Sequence, residues 1–289
     1  MDLFKKGWFT EIYDLSPGMT LSLEIKNILH QEKSKYQDIL VAETKSCGKM
    51  LVLDGIIQCT EFDEFSYQEM ISFLPLCSHP DPKKVLIVGG GDGGVAREVT
   101  KHPSVELVEQ VEIDDRVIDL CKKYLPSMAV GFKHPKLKLH VGDGFEFMKQ
   151  RTQQYDVIIT DSSDPVGPAI PLFKQEYFKL MRSALKPGGI VCSQASNPWS
   201  NTKEYVEVTN VCKDLFPSSG FAYTSVPTYP NGVIGFALGS LNKETNFKEP
   251  VKRFSEEELS KMELRYYNSD VHKAAFCLPN FMKNALNVK

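Results

Sequence analysis

Val85-Leu86-Ile87-Val88 runs straight into Gly89-Gly90-Gly91-Asp92-Gly93-Gly94, and Val95-Ala96-Arg97-Glu98-Val99 follows with helix-forming character. Few local structures accept that order. Four branched apolar residues suit a strand buried on both faces, the glycines suit a tight turn, and the last five residues suit a helix N-terminus. Gly89, Gly91 and Gly94 keep the G-x-G-x-x-G spacing that lets backbone amides approach a nucleotide and lets the helix lie close to the strand. Taken alone, the spacing is a weak signal that a ligand-free glycine turn also satisfies.

Two further features sharpen it. Leu107 to Val111 is a second apolar run, ending in Glu112 about 20 residues past the loop, where such folds place a carboxylate that hydrogen-bonds a ribose. Asp92 lies inside the glycine loop itself. A carboxylate there repels a pyrophosphate drawn to the helix amides but welcomes an amine or a sulfonium. The loop's charge therefore favours an adenosyl-sulfonium ligand over a dinucleotide.

Strand and helix patterns alternate from Lys84 onward, which argues a doubly wound parallel sheet. Asp114-Asp115-Arg116 opens the helix after the second strand. Leu137 to Val141 is a third strand ending at Gly142-Asp143-Gly144, and Tyr155 to Thr160 is a fourth, delivering Asp161-Ser162-Ser163-Asp164-Pro165. Pro165 to Pro168 reads as a stiff, extended loop rather than a helix. A helix over Leu172 to Leu185, a fifth strand over Ile190 to Gln194 and a helix over Tyr205 to Phe216 follow. The runs Phe221 to Val226 and Val233 to Leu238, joined by Pro227-Thr228-Tyr229-Pro230-Asn231-Gly232, form a closing hairpin. The tail from Glu249 reads as helical and closes with Leu264 to Phe276. Asp92, Glu112, Asp143, Asp161 and Asp164 thus meet at the carboxyl ends of four strands, where open α/β sheets bind ligands. Asp and Ser also cap helices and make turns, but clustered acids repel one another unless cations join them.

The first 75 or so residues differ in texture. Leu21 to Ile25 and Ile39 to Glu43 are short strand-like runs, and Met50 to Thr60 reads as two strands hinged at Asp54-Gly55. So small an antiparallel module leans on the larger part or on a second subunit. Ser34 to Asp38 reads as an exposed turn. From Thr60 a helix begins, with Thr60 or Asp63 as N-cap and Phe65, Met70 and Phe73 turned to the core. Tyr67 and Gln68 fall between those positions, as an ordinary helix surface also would. Pro80-Asp81-Pro82 punctuates the chain, giving an N-terminal β-strand and hairpin domain over 1–77 and a catalytic domain over 78–289.

Bulk properties narrow the function. A net charge of -3 offers no general attraction for nucleic acid or an anionic membrane. No apolar run is long enough to cross a bilayer, and the first six residues lead into no signal-peptide core, so the expected compartment is the cytoplasm. The 7 cysteines form no C-x-x-C pair and the 6 histidines no H-E-x-x-H, so free buried thiols and no metal are expected.

Leu51 to Gln58 with Asp63 to Met70, the loop Gly89 to Gly94, Asp161 to Pro165 and Pro227 to Pro230 together resemble the spermidine synthase family, over nearly the whole chain from Gly7-Trp8-Phe9 to Tyr266-Tyr267-Asn268. The resemblance implies a Rossmann-like domain of the S-adenosylmethionine type behind a small antiparallel β domain. It also implies an aminopropyltransferase, a homodimer, that moves the propylamine of decarboxylated S-adenosylmethionine, a co-substrate, onto putrescine, with no prosthetic group. Carried over residue by residue, it gives Gln37, Gln68 and Asp92 to the aminopropyl donor, Glu112 to the ribose, and Asp143 with Gly144 to the adenine. Asp161 resembles the general base, and Tyr67, Asp164 and Tyr229 the groups that hold putrescine. One departure is visible. The family commonly reads Gln-Gly-Glu-x-x-Trp where this chain has Gln194-Ala195-Ser196-Asn197-Pro198-Trp199, so a carboxylate for the distal amine is missing at Ser196. An amine N-methyltransferase, a transferase with another acceptor amine and a non-catalytic nucleotide-binding subunit remain as alternatives. Asp92 counts against the methyl donor's carboxylate.

Overall fold

The computed structural model describes residues 6–12 and 18–287. Residues 1–5, on which the absence of a leader was partly read, lie outside them. Five strands, β1 (Trp8–Thr10), β2 (Ser22–Lys33), β3 (Asp38–Thr44), β4 (Lys49–Leu53) and β5 (Ile56–Thr60), pair in sequence order into one antiparallel sheet. Asp54 and Gly55 both take positive φ between β4 and β5, the conformation a tight Asp-Gly hairpin turn requires.

Helix α1 (Glu64–Ser78) follows, and then alternation begins: β6 (Lys84–Gly89), α2 (Gly94–Lys101), β7 (Leu107–Glu112), α3 (Asp115–Tyr124), α4 (Pro126–Ala129), β8 (Leu137–Val141), α5 (Gly144–Lys149) and β9 (Tyr155–Asp161). Next come α6 (Gln175–Ala184), β10 (Leu185–Gln194), α7 (Thr202–Leu215), β11 (Ser218–Ser225) and β12 (Val233–Ser240). The tail holds α8 (Glu256–Lys261), α9 (Ser269–Ala275) and α10 (Asn280–Ala285). The second sheet runs β11-β12-β10-β9-β6-β7-β8, parallel from β10 to β8, with β12 and β11 antiparallel at one edge. From β6 the chain winds outward through β7 to β8 and then returns to the other side of β6 as β9. The carboxyl ends of β6 and β9 therefore flank the point where the winding reverses, the place such sheets leave a crevice.

The expected amphipathic α1 is corrected by its surroundings. All its residues but Phe65 are buried, so it has no polar surface, and Tyr67 and Gln68 face inward. Phe65, expected in the core, is half-buried, with the Arg265 guanidinium 3.7 Å from its ring centroid. On its other sides α1 contributes Met70, Ile71, Phe73 and Leu74 to the core built on Val85, Ile87 and Ile159. The N-terminal sheet has a small core of its own around Met50 and Val52. It also leans on the larger part, with Ile39, Val41 and Leu51 against Val117, Leu120 and Leu125.

Three further expectations are adjusted. The loop after β9 turns into a 3-10 helix at Gly167–Phe173 instead of staying extended, because the two prolines it contains fix helical φ values and tolerate the missing amides of a short turn. Strand β10 starts at Leu185, with a register irregularity before Ile190. Leu264 to Asn268 is not helical. Glu69 of α1 accepts the backbone amides of Arg265, Tyr266 and Tyr267 at 2.7–2.8 Å, doing for that stretch what helical carbonyls would do. The cysteines are free, buried except for Cys277. Among the described residues no helix is long and apolar enough to cross a membrane, and no cluster of three metal-ligating side chains occurs.

Candidate active site

A cleft opens along the carboxyl ends of β6, β7 and β9, roofed by residues of β4, β5 and α1. The glycine loop forms its floor for reasons of close approach. Gly89, Gly90 and Gly93 take positive φ, and a Cβ on Gly89 would lie 2.0 Å from the Asp161 carbonyl of the neighbouring strand. Gly94 has ordinary φ but no room: a Cβ there would stand 2.0 Å from the Gln68 side-chain amide. The spacing read in the sequence thus marks two different needs, backbone freedom at some glycines and side-chain clearance at others.

Every residue singled out from the sequence lines this one cleft: Gln37, Tyr67, Gln68, Asp92, Glu112, Asp143, Gly144, Asp161, Asp164 and Tyr229. At the α2 end, Asp92 accepts the Gly94 backbone amide at 2.6 Å and the Gln68 side-chain amide at 3.3 Å. Glu112, at the end of β7, is buried and accepts the Asp114 amide at 2.9 Å. Asp143 is exposed at the rim and caps α5 by accepting from Phe145 and Glu146. Its capping role and its place on the cleft coexist.

Asp161 sits at the centre. Register pairs Gly89 with Asp161, so the strand that carries the carboxylate ends beside the loop. The Tyr67 hydroxyl donates to Asp161 Oδ1 at 2.7 Å, and the Tyr67 ring lies 5.9 Å from that of Tyr229. Tyr229 is fixed in turn by donating to the Gln58 carbonyl at 2.6 Å. Around the corner, Asp164 accepts from Gln194 at 2.9 Å.

Packing acids this closely moves their protonation. Burial, then the Asp92 charge, pushes the Asp161 carboxyl up to about 7, against the pull of the Tyr67 hydrogen bond. Glu112 rises to about 7 through burial first and its acidic neighbours next. Burial raises Asp92 as well, opposed by the Gly94 amide. Burial and the Asp161 charge raise Tyr67, which therefore keeps its proton and remains a donor. A site in which several carboxylates resist ionisation near neutrality is a site that gains from an incoming cation.

Sequence reasoning missed several residues here. Glu11, at 2% exposure, accepts the Ile57 amide at 2.8 Å, and burial together with the Asp164 charge raises it to about 7. No local pattern distinguishes it from a strand-end glutamate. Gln194, Asn197 and Asn201 line the far wall. Ser196, where the carboxylate was missed, is fully buried behind that wall and accepts from Asn201 Nδ2 at 2.8 Å. The wall it supports is made of amides.

The Spermine/spermidine synthase domain model matches residues 64–249, and the Spermidine synthase tetramerisation domain model matches residues 7–61. Spermidine synthase of Dictyostelium discoideum is 54% identical over 288 residues, 100% of both chains. That of Schizosaccharomyces pombe is 50% identical over 285 residues, 99% of this chain and 95% of its relative. A solved spermidine synthase in complex with the transition state analogue AdoDATO superposes with a TM-score of 0.90 at 35% identity, covering 97% of this chain and 94% of the other. Spermidine synthase from Thermotoga maritima superposes at 0.88, also 35% identical and with the same coverage.

Proposed function

The chain belongs to the spermine/spermidine synthase family, and from that premise we propose how its cleft carries out the reaction. It is an aminopropyltransferase: the aminopropyl group of decarboxylated S-adenosylmethionine passes to putrescine, giving spermidine and methylthioadenosine. The donor is consumed as a co-substrate, and there is no prosthetic group. Amine N-methylation is not favoured beside relatives of this identity.

The residue roles are the proposed part. Glu112 accepts from the ribose hydroxyls, Asp143 and the Gly144 backbone meet the adenine, and Gln37, Gln68 and Asp92 hold the aminopropyl donor, with Asp92 against its ammonium. Putrescine lies against the Tyr67 and Tyr229 side chains, with one nitrogen at Asp161 and Asp164. The ring faces attract a cation while contacting its methylenes.

An ammonium has no lone pair, so the attacking end must first lose a proton. Asp161 is the acceptor, and its carboxyl, raised to about 7, is a stronger base than an ordinary aspartate while still largely ionised at slightly alkaline pH. The freed amine attacks the carbon beside the sulfonium. The C–N bond forms, the C–S bond breaks with its electrons going to sulfur, and the sulfonium leaves as a neutral thioether. No acid is needed at the leaving group, so holding the nitrogen, carbon and sulfur in line supplies much of the remaining rate.

The observation that carries this reading is the Tyr67 hydroxyl donating to Asp161 at 2.7 Å within an acid-lined cleft. Mass analysis of products from decarboxylated S-adenosylmethionine with putrescine, cadaverine or spermidine tests it. Spermidine and methylthioadenosine in equal amounts are expected from putrescine, whereas the absence of any aminopropylated amine contradicts it. We also propose a cytoplasmic enzyme, which the free buried thiols support, and a homodimer. The division at residues 77 and 78 stands as a proposal as well. Light scattering distinguishes a dimer from the tetramer suggested by the name of the model matching residues 7–61.

A further inference from the structure

Asp63 stands at the N-cap position of α1, yet its side chain accepts no amide of that helix. The Ser66 amide goes instead to the Asp63 backbone carbonyl at 3.0 Å. The carboxylate is buried and is spent on other segments. Its Oδ2 accepts the Thr228 backbone amide at 2.7 Å, and its Oδ1 accepts the Thr228 hydroxyl at 3.0 Å and the Thr60 hydroxyl at 2.7 Å. Thr228 immediately precedes Tyr229 in the loop between β11 and β12. Past Tyr229 the same loop is held by Asn197, whose Nδ2 donates to the Pro230 and Val233 carbonyls. Tyr67, four residues on from Asp63, leaves the same face of α1, and its ring lies 5.9 Å from that of Tyr229.

We propose that Asp63 is a positioning residue for the acceptor amine, which ties the base of Tyr229 to the helix that carries Tyr67 so that the two rings keep one spacing. The bond from the Tyr229 hydroxyl to the Gln58 carbonyl fixes only the tip of that ring. Asp63 fixes the backbone from which the ring hangs. It does not itself line the cleft, so it acts through Tyr229 and not by touching substrate. Attraction of the diamine by charge alone is the competing role, and the variants below separate the two. The inference rests on the acceptor assignment above and adds the residue that holds that end of the site in shape.

Asp63→Ala leaves the buried Thr228 amide without its acceptor and the loop loose at its base. At saturating donor, kcat/KM for putrescine is expected to fall about tenfold, the scale of one lost buried hydrogen bond. The Michaelis constant for decarboxylated S-adenosylmethionine should stay within about twofold. General loosening of α1 would raise that constant too, because the same helix carries Gln68 to Asp92. Asp63→Asn is the rescue: its Oδ1 accepts the Thr228 amide while its Nδ2 faces the two hydroxyls, which accept as readily as they donate. Its constants should lie within about twofold of wild type although the charge is gone. A double-mutant cycle completes the test, since with Tyr229→Ala in place Asp63→Ala should cost less than about twofold more. If D63A folds poorly, Thr228→Val removes only the hydroxyl bond, and the same pattern is expected at about threefold. Wild-type kcat/KM in D63A, or in Thr228→Val where that variant stands in, would overturn the proposal. So would a donor constant that rises in step, a D63N as impaired as D63A, or additive losses in the cycle. Failure of the functional reading is separate, since it shows as wild-type protein that forms no spermidine.

Discussion

Tyr67 is where the effect of a single atom can be read most cleanly. Its hydroxyl donates to Asp161 and so favours the ionised carboxylate against burial and against Asp92. Tyr67→Phe removes that donor and keeps the ring beside Tyr229. The acid limb of kcat/KM for putrescine should then move up by about one pH unit, the equivalent of one charge-assisted hydrogen bond. An unmoved limb would mean that the hydroxyl does not act on the base. Glu112 gives the opposite kind of test. Its folded carboxyl is raised to about 7 from an ordinary 4.5, so in the unliganded protein its stabilising protonation is complete below about 4.5 and is lost as pH rises through 7. At pH 8 it is ionised among other acids and costs stability. Glu112→Gln should therefore make the empty protein more stable at pH 8, by on the order of 2 kcal/mol, with a smaller gain at pH 6. Donor affinity should fall. Thermal melts at the two pH values, with and without donor, check both signs.

At the scale of elements, the glycine loop and α1 depend on each other. Gly94 opens α2 directly against the Gln68 amide, with no space for a methyl group. Gly94→Ala suits a helix, and in an open position would add up to about 1 kcal/mol of stability. Here it must push Gln68 away from Asp92, so donor affinity should drop at least tenfold, with putrescine affinity little changed. Isothermal titration with each substrate separates the two, and unaltered donor binding would show that the loop has slack. The loop, the strand before it and the carboxylate at the end of the next strand were legible because backbone conformation and strand alternation leave marks within ten or so residues. The double burial of α1 was not. Its apolar pattern fits a one-sided helix, and only the large sheet, α2 and the C-terminal tail packed around it make Tyr67 and Gln68 interior. Gln37 was hidden in the same way, since a polar tip between β2 and β3 becomes part of a cleft only when Asp114, far along the chain, reaches it.

The whole molecule places acids from separate strands along one edge of a sheet and closes them under a small antiparallel roof. Doubly wound order was readable from alternation, and the gathering of carboxylates followed from the rule that strand ends hold ligands. The amides at Gln194, Asn197 and Asn201 were out of reach, because their relevance comes from the roof and the far wall meeting across the cleft, and so was Glu11, which lies outside the lining but feels the Asp164 charge. The familiar motifs supplied the chemistry that pattern alone undervalued at Tyr67 and Gln68, and the fold supplied the reason: both side chains hang from the one helix that contacts the loop and the base. The central claim is that this edge exists to bind cations and to take a proton at Asp161. The most direct measurement is kcat/KM for putrescine against pH, in the wild type and in Asp161→Asn. The account predicts a wild-type rate that rises through a midpoint near pH 7, where Asp161 loses its proton, and in the variant a loss of about a hundredfold or more without that limb. A variant that keeps the wild-type rate and profile would contradict it.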